Sequence, residues 1–139
     1  MIAFFYETDF LIPNEELWKK WILSAVEKEG FQTDEINYIF CDDEYLLQIN
    51  IEYLQHDYYT DVIGFQYSEG NSLSGDIYIS IDRIRENAIE NNVSFEKELA
   101  RVIIHGILHF MNYKDKTDEQ AVEMRNIEDK YLSFFDEIN

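Results

Sequence analysis

Asp76-Ile77-Tyr78-Ile79-Ser80-Ile81-Asp82 is the stretch whose reading decides the fold. Ile77, Ile79 and Ile81 alternate with Asp76, Tyr78 and Ser80, so this strand has a single face that seeks the core. The alternation ends at Asp82, which reads as the cap of a helix running to Asn91-Asn92. Working back, the turn-rich Ser68-Glu69-Gly70-Asn71-Ser72-Leu73-Ser74 joins this strand (75–81) to a partner over 61–67. Working forward, Ser94 caps a helix that carries Phe95, Leu99, Val102 and Ile103, and Thr117-Asp118-Glu119-Gln120 is a capping box for the last one. That last helix sets Ala121, Met124, Ile127, Tyr131 and Phe134-Phe135 at helical spacing. Toward the N-terminus, residues 2–7 read as a short apolar strand. Pro13 and Asn14 then introduce a helix in which Trp18, Trp21, Ile22 and Ala25 follow i, i+3, i+4, i+7, and Gly30 stops it. Ile36 to Cys41 has strand character, and Asp42-Asp43-Glu44 opens a helix reaching about Leu54. The order β-α-β-α-β-β-α-α-α predicts an α+β fold. It is a single small mixed sheet of about four strands covered by about five helices, in one domain over residues 1–139.

Composition narrows the class. With 46% hydrophobic and 16% aromatic residues, the chain can bury a core and is not disordered. The lone Cys41 excludes an intramolecular disulfide, suits a reducing compartment and reads as a small buried hydrophobe. The opening Met1-Ile2-Ala3-Phe4-Phe5-Tyr6 run is too short for a signal core and meets Glu7 and Asp9 at once. No apolar run reaches membrane length, so a cytoplasmic protein without a membrane partner is expected. The formal charge of −18 argues against DNA, and composition alone argues against RNA as well. A local basic rim can override that, because screening confines distant charges to about 8–10 Å.

The chemistry gathers at His105-Gly106-Ile107-Leu108-His109 and at Asp115. Two imidazoles four apart on a helix share one face, and Arg101 extends the stripe. A bare H-x-x-x-H is more often a hydrogen-bonded pair than a metal site, but two details favour a divalent metal. Gly106 stands mid-helix at a cost of about 1 kcal/mol relative to Ala, which points to a close approach by the sheet or a substrate. Asn112 falls where the helix ends and tolerates the left-handed conformation, so the turn there can fold back and present Asp115. From spacing alone Asp115 is equally a third ligand or a solvated acid near a helix start. Gly rather than Glu follows His105, so this is not the H-E-x-x-H helix of zinc peptidases.

These residues resemble the YbeY family of metal-dependent endoribonucleases, whose motif runs H-G-x-L-H-L-x-G-Y-D-H. His105, Gly106, Leu108, His109 and Tyr113 match it. Phe110 replaces Leu, Asn112 stands at the Gly, Lys114 at the Asp and Asp115 at the third His. The stretch Ile49 to Phe65 is similar to the family's L-N-x-x-Y-R-x-x-D-x-P-T-D-V-L-S-F, with Asn50, Tyr53, Asp57, Thr60-Asp61-Val62 and Phe65 matching, and Gly75-Asp76-Ile77 fits its G-D-I strand. The resemblance implies a hydrolase that cuts single-stranded RNA in ribosomal RNA maturation, with ribosomal RNA or ribosomal particles as partner. It implies one divalent ion, zinc in preference, on His105, His109 and Asp115, and zinc accepts an Asp oxygen. Leu54 stands where the family carries an arginine that acts on phosphate, and His56, Arg101 and Lys114 are the candidate replacements. Asp61 is either a strand-start cap or a buttress for a ligand imidazole. Arg101, Lys114 and Lys116 form the expected basic rim. A ribosome-assembly binding factor with a structural metal, and a metal-dependent hydrolase of another substrate, are the alternatives.

Overall fold

The computed structural model describes residues 1–138. Four strands, β1 (Ile2–Tyr6), β2 (Gln32–Cys41), β3 (Val62–Gln66) and β4 (Ser72–Ser80), form one sheet in the order β1-β2-β4-β3. β1 and β4 flank β2 in parallel, and β3 closes the edge antiparallel to β4. Five helices accompany them: α1 (Glu15–Lys28), α2 (Asp43–Ile49), α3 (Ile81–Asn91), α4 (Phe95–Phe110) and α5 (Asp118–Ile138). The α+β expectation holds, mixed sheet included.

Local boundaries move for identifiable reasons. β2 begins at Gln32, ahead of the apolar run, because its pairing with Ser72 and Leu73 crosses a register shift between Thr33 and Ile36. Asp34 and Glu35 fall in that irregular stretch and hide it from a period-2 reading. β4 likewise begins at Ser72, inside the expected turn, since Leu73 is buried opposite Thr33. Ser80, not Asp82, caps α3 by accepting from the Arg83 amide at 3.3 Å. Ile81 is therefore the first helical residue rather than the last of the strand. Asp82 accepts instead from the Asp43 amide at 2.9 Å and joins α3 to α2. After Ile49 the chain loosens into a π-helical turn, Asn50–Leu54, ended by Gln55 in the left-handed conformation.

The two faces of the sheet are used differently. Ile77 and Ile79 join Trp18, Ile22, Ile103, Tyr131 and Phe135 in the main core, which α1, α4 and α5 complete. On the opposite face Cys41, Leu46 and Ile63 form a smaller cluster under α2. Two glycines on adjacent strands seat the end of α4. A Cβ on Gly75 would lie 2.6 Å from the Phe110 ring and 2.4 Å from the Phe65 carbonyl oxygen, and one on Gly64 would lie 3.0 Å from the same ring. Gly106 is the third close approach, with Ile77 at 3.0 Å from its missing Cβ. It is the sheet that the mid-helix glycine accommodates. No helix among the described residues is long and apolar enough to cross a membrane.

Candidate metal centre

α4 carries the histidines because both ends of the helix are fixed. Ser94 accepts from the Lys97 amide at 3.1 Å. At the far end Asn112 takes φ 74°, the Tyr113 amide donates to the Leu108 carbonyl at 3.2 Å and the Asn112 amide to that of His109 at 3.1 Å. This is the paired closure of a Schellman motif, and it reverses the chain toward the helix face that bears His105 and His109. Tyr113 is then anchored by its hydroxyl, which donates to Glu29 at 2.6 Å, while Tyr131 donates to the other oxygen of the same carboxylate. These contacts and burial push the Tyr113 phenol up to about 12.

The turn delivers Asp115. Its Oδ2 lies 3.4 Å from His105 Nε2 and 3.5 Å from His109 Nε2, and the two Nε2 atoms are 3.0 Å apart. Tetrahedral ligands at the ~2.0–2.2 Å typical of zinc stand roughly 3.3–3.6 Å from one another; the two edges to Asp115 match that spacing and the edge between the imidazoles is slightly shorter. Its chemistry fits too. His105 Nδ1 meets Glu128 Oε2 at 2.6 Å and His109 Nδ1 meets the Tyr113 carbonyl at 3.1 Å. Carboxylate and carbonyl oxygens only accept, so each Nδ1 carries the hydrogen. Each neutral imidazole then turns its Nε2 lone pair toward the other and toward a carboxylate. Three acceptors facing one another repel unless a cation sits among them. Burial lowers the His105 pKa, but the bond to Glu128 and the charges of Glu128, Asp115 and Asp61 outweigh it and leave it raised. The field that holds a proton there also favours a metal ion.

Behind the triangle stands a residue that the sequence reading did not single out. Glu128, on α5, is 4% exposed and bridges His105 to Arg101, whose guanidinium donates to Glu128 at 2.8 Å and to Asp129 at 2.7 Å. Its signal was present in the sequence: Glu128 falls four after Met124 and three before Tyr131, a charge on the apolar stripe of the helix. The stripe in fact runs through Met124, Glu128, Tyr131, Leu132 and Phe135, while Ala121 is exposed.

The other candidates divide. Asp61 reaches the site, held by Asn87 at 3.4 Å. Burial raises its pKa, while the nearby His105 charge works to lower it. Asn50 positions this segment by donating to the Tyr58 carbonyl at 2.9 Å and to Thr60 Oγ1 at 3.1 Å. Asp61 and His105 line two adjoining cavities, of about 540 Å³ among α3, α4 and α5 and about 410 Å³ between β3 and α4. Arg101 is committed to its two acidic partners, so the expected rim is left to Lys114 and Lys116, both exposed. His56 stacks on Tyr58 with ring centroids 5.0 Å apart and lines neither cavity. Leu54 is 40% exposed at the end of the π-helical turn.

A family profile described as Endoribonuclease YbeY matches residues 7–136. The chain belongs to the YbeY family. Two YbeY relatives, each named Endoribonuclease YbeY, are those of Flavobacterium johnsoniae and Flavobacterium psychrophilum. The first is 52% identical over 135 residues, 97% of either chain. The second is 54% identical over 135 residues, 97% of this chain and 96% of the relative. A Thermotoga maritima protein of known solution structure shares this fold at 30% identity and a TM-score of 0.70, with 97% of this chain and 89% of the other covered.

Proposed function

We propose that this chain is a metal-dependent endoribonuclease that cuts single-stranded RNA in the maturation of ribosomal RNA, with ribosomal particles as its setting in the cytoplasm. The observation that carries the reading is the triangle of His105 Nε2, His109 Nε2 and Asp115 Oδ2, 3.0–3.5 Å on its edges, in which every atom offers a lone pair. Relatives named as endoribonucleases supply the reaction class. A zinc ion held by those three side chains would supply a Lewis acid that polarises a phosphoryl oxygen and acidifies a water. Glu128 keeps His105 in the tautomer that points Nε2 inward, and the Tyr113 carbonyl does the same for His109. Arg101 neutralises Glu128, so the pair adds little net charge beside an anionic substrate. Lys114 and Lys116 flank Asp115 in the chain and Arg125 lines the cavity beside His105; all three are exposed and can meet phosphate. All of this is assigned to one domain over residues 1–139.

The test is cleavage of a single-stranded RNA by purified protein with and without chelator, paired with metal analysis. Chelator-sensitive cleavage and about one zinc per chain are expected. A protein that holds zinc and associates with ribosomal particles, yet never cuts, would instead be a binding factor. The exposed Leu54 at the position of the family's arginine favours that second reading.

A further inference from the structure

We infer that Glu29, at the end of α1, is a positioning residue for the metal centre: through Tyr113 it fixes the turn that presents Asp115 and holds the His109 ring. The inference rests on the metal reading above. Residues 112–119 are all exposed except Tyr113, whose ring packs against the main core. Tyr113 is therefore the turn's one anchor in the body of the fold, and both of its ends are used. Its carbonyl meets His109 Nδ1 at 3.1 Å, and its hydroxyl donates to Glu29 Oε1 at 2.6 Å. Two residues on, Asp115 has the Nε2 atoms of His105 and His109 as neighbours at 3.4 and 3.5 Å. Beyond it the Lys116 and Thr117 amides both donate to Gln120 at 3.2 Å. Those bonds tie the far end of the turn to α5 and leave the near end to the closure of α4 and to Tyr113.

The carboxylate is itself held firmly. Glu29 is partly buried, and its amide donates to the Ala25 carbonyl at 3.2 Å. Its second oxygen accepts from the Tyr131 hydroxyl. Tyr131 is fixed in turn, buried on α5 with its carbonyl accepting from Trp21 Nε1 at 2.8 Å. Among the described residues no Lys or Arg pairs with Glu29. A negative charge at a helix C-terminus is otherwise unfavourable, and the two phenols offset it there. Bonds from a hydroxyl to a carboxylate are about twice as strong as neutral ones. α1 and Tyr131 thus make a rigid base on which the turn docks through one hydroxyl. The two histidines differ in how they are backed. His105 takes its acceptor from Glu128 directly at 2.6 Å, whereas His109 takes its own from Tyr113, whose place depends on Glu29, 84 residues away.

The test pairs zinc affinity, measured on the full chain by competition with a chromophoric chelator, with amide NMR relaxation of the metal-free protein. Glu29→Gln and Tyr113→Phe should each lower zinc affinity about three- to tenfold, less than the 10–100-fold typical of a group that touches the ligand itself. Together they should cost little more than either alone, because both cut one tie. Without metal, the amides of residues 113–116 should gain fast motion in both variants, while those of residues 101–109 and 120–131 stay as rigid as in wild type. Glu27→Gln, the same charge change at an exposed site on α1, should alter zinc affinity by less than about twofold. Tyr113→Phe keeps the ring in the core and removes only the hydroxyl, so it reports the tie even if Glu29→Gln folds poorly. Additive losses, an equal loss in Glu27→Gln, or zinc affinity close to wild type in both variants would each overturn the inference, as would motion spread over the whole chain. If the wild type binds no zinc, the metal reading fails instead, and the inference about Glu29 then stands or falls on whether the loosening is confined to residues 113–116.

Discussion

Replacing Glu128 by Gln keeps the size of the side chain and removes its charge, and the geometry says what should follow. The Gln carbonyl oxygen can still accept from His105 Nδ1, but the 2.6 Å contact becomes a neutral hydrogen bond, about half as strong as a charge-assisted one. Its amide cannot accept from Arg101, which is left with Asp129, a side chain 55% exposed. Loss of a partner behind a metal-bound histidine typically costs 10–100-fold in affinity, so zinc affinity, measured by competition with a chromophoric chelator, should fall within that range. Breaking a buried ion pair costs about 3–5 kcal/mol. Arg101 is 15% exposed and keeps one partner, so about half of that is expected in the metal-free protein. The pH dependence carries a sign. His105 has its pKa raised above the ordinary 6.5 through Glu128, Asp115 and Asp61. The stability this contributes is fully present below 6.5 and is lost as pH rises through the raised folded value. The gap between wild type and Glu128→Gln, both metal-free, should therefore be widest below pH 6.5 and narrow as pH rises. Zinc affinity within twofold of wild type, or a gap that widens with pH, would refute the role assigned to Glu128.

Asp115→Ala should lower zinc occupancy sharply while Asp115→His retains it, as read by metal analysis after dialysis, and His105→Ala with His109→Ala should abolish it. Leu54→Arg should raise the rate of RNA cleavage without altering metal content, because one phosphate-directed donor is worth on the order of 10²–10³ in rate. Its logarithmic salt slope for single-stranded RNA should steepen by about 0.7. Gly75→Ala should destabilise severely, since the added methyl would stand 2.4 Å from a backbone oxygen. Gly106→Ala meets side chains only, Ile77 at 3.0 Å and Val62 at 3.6 Å, and regains about 1 kcal/mol of helix propensity, so its thermal midpoint should change far less.

How far the sequence was readable follows the range of the forces involved. Elements governed by local chemistry came through: the Ser94 cap, the Thr117–Gln120 capping box, the Asn112 termination, and the helical spacing that puts His105 above His109. Features set by distant partners did not. The early start of β2 depends on Ser72 and Leu73, forty residues on, and the displaced cap of α3 depends on Asp43 claiming Asp82. Glu128 lies 23 residues from His105 and becomes legible only when α5 packs on α4. Arg101 shows the same limit. Its place on the histidine stripe was evident, but whether the guanidinium faced a substrate or an internal acid was decided by α5.

The charge of −18 looks hostile to RNA only as a total. All eleven Lys and Arg lie before residue 29 or after residue 82, so residues 29–82 are without cations and the segments on either side hold them all. α4, α5 and the turn bearing Asp115 belong to the C-terminal of those segments. With screening over about 8 Å in physiological salt, a phosphate beside Asp115 responds to Lys114, Lys116 and whatever cation the triangle holds far more than to Asp34 or Glu69. Aspartate in place of a third histidine would leave a divalent ion held there with one net positive charge instead of two. Glu128 adds no further penalty, because Arg101 cancels it at 2.8 Å. Local balance at the histidines is thus compatible with an anionic substrate, even though residues 29–82 add twelve acidic residues and no Lys or Arg to the total.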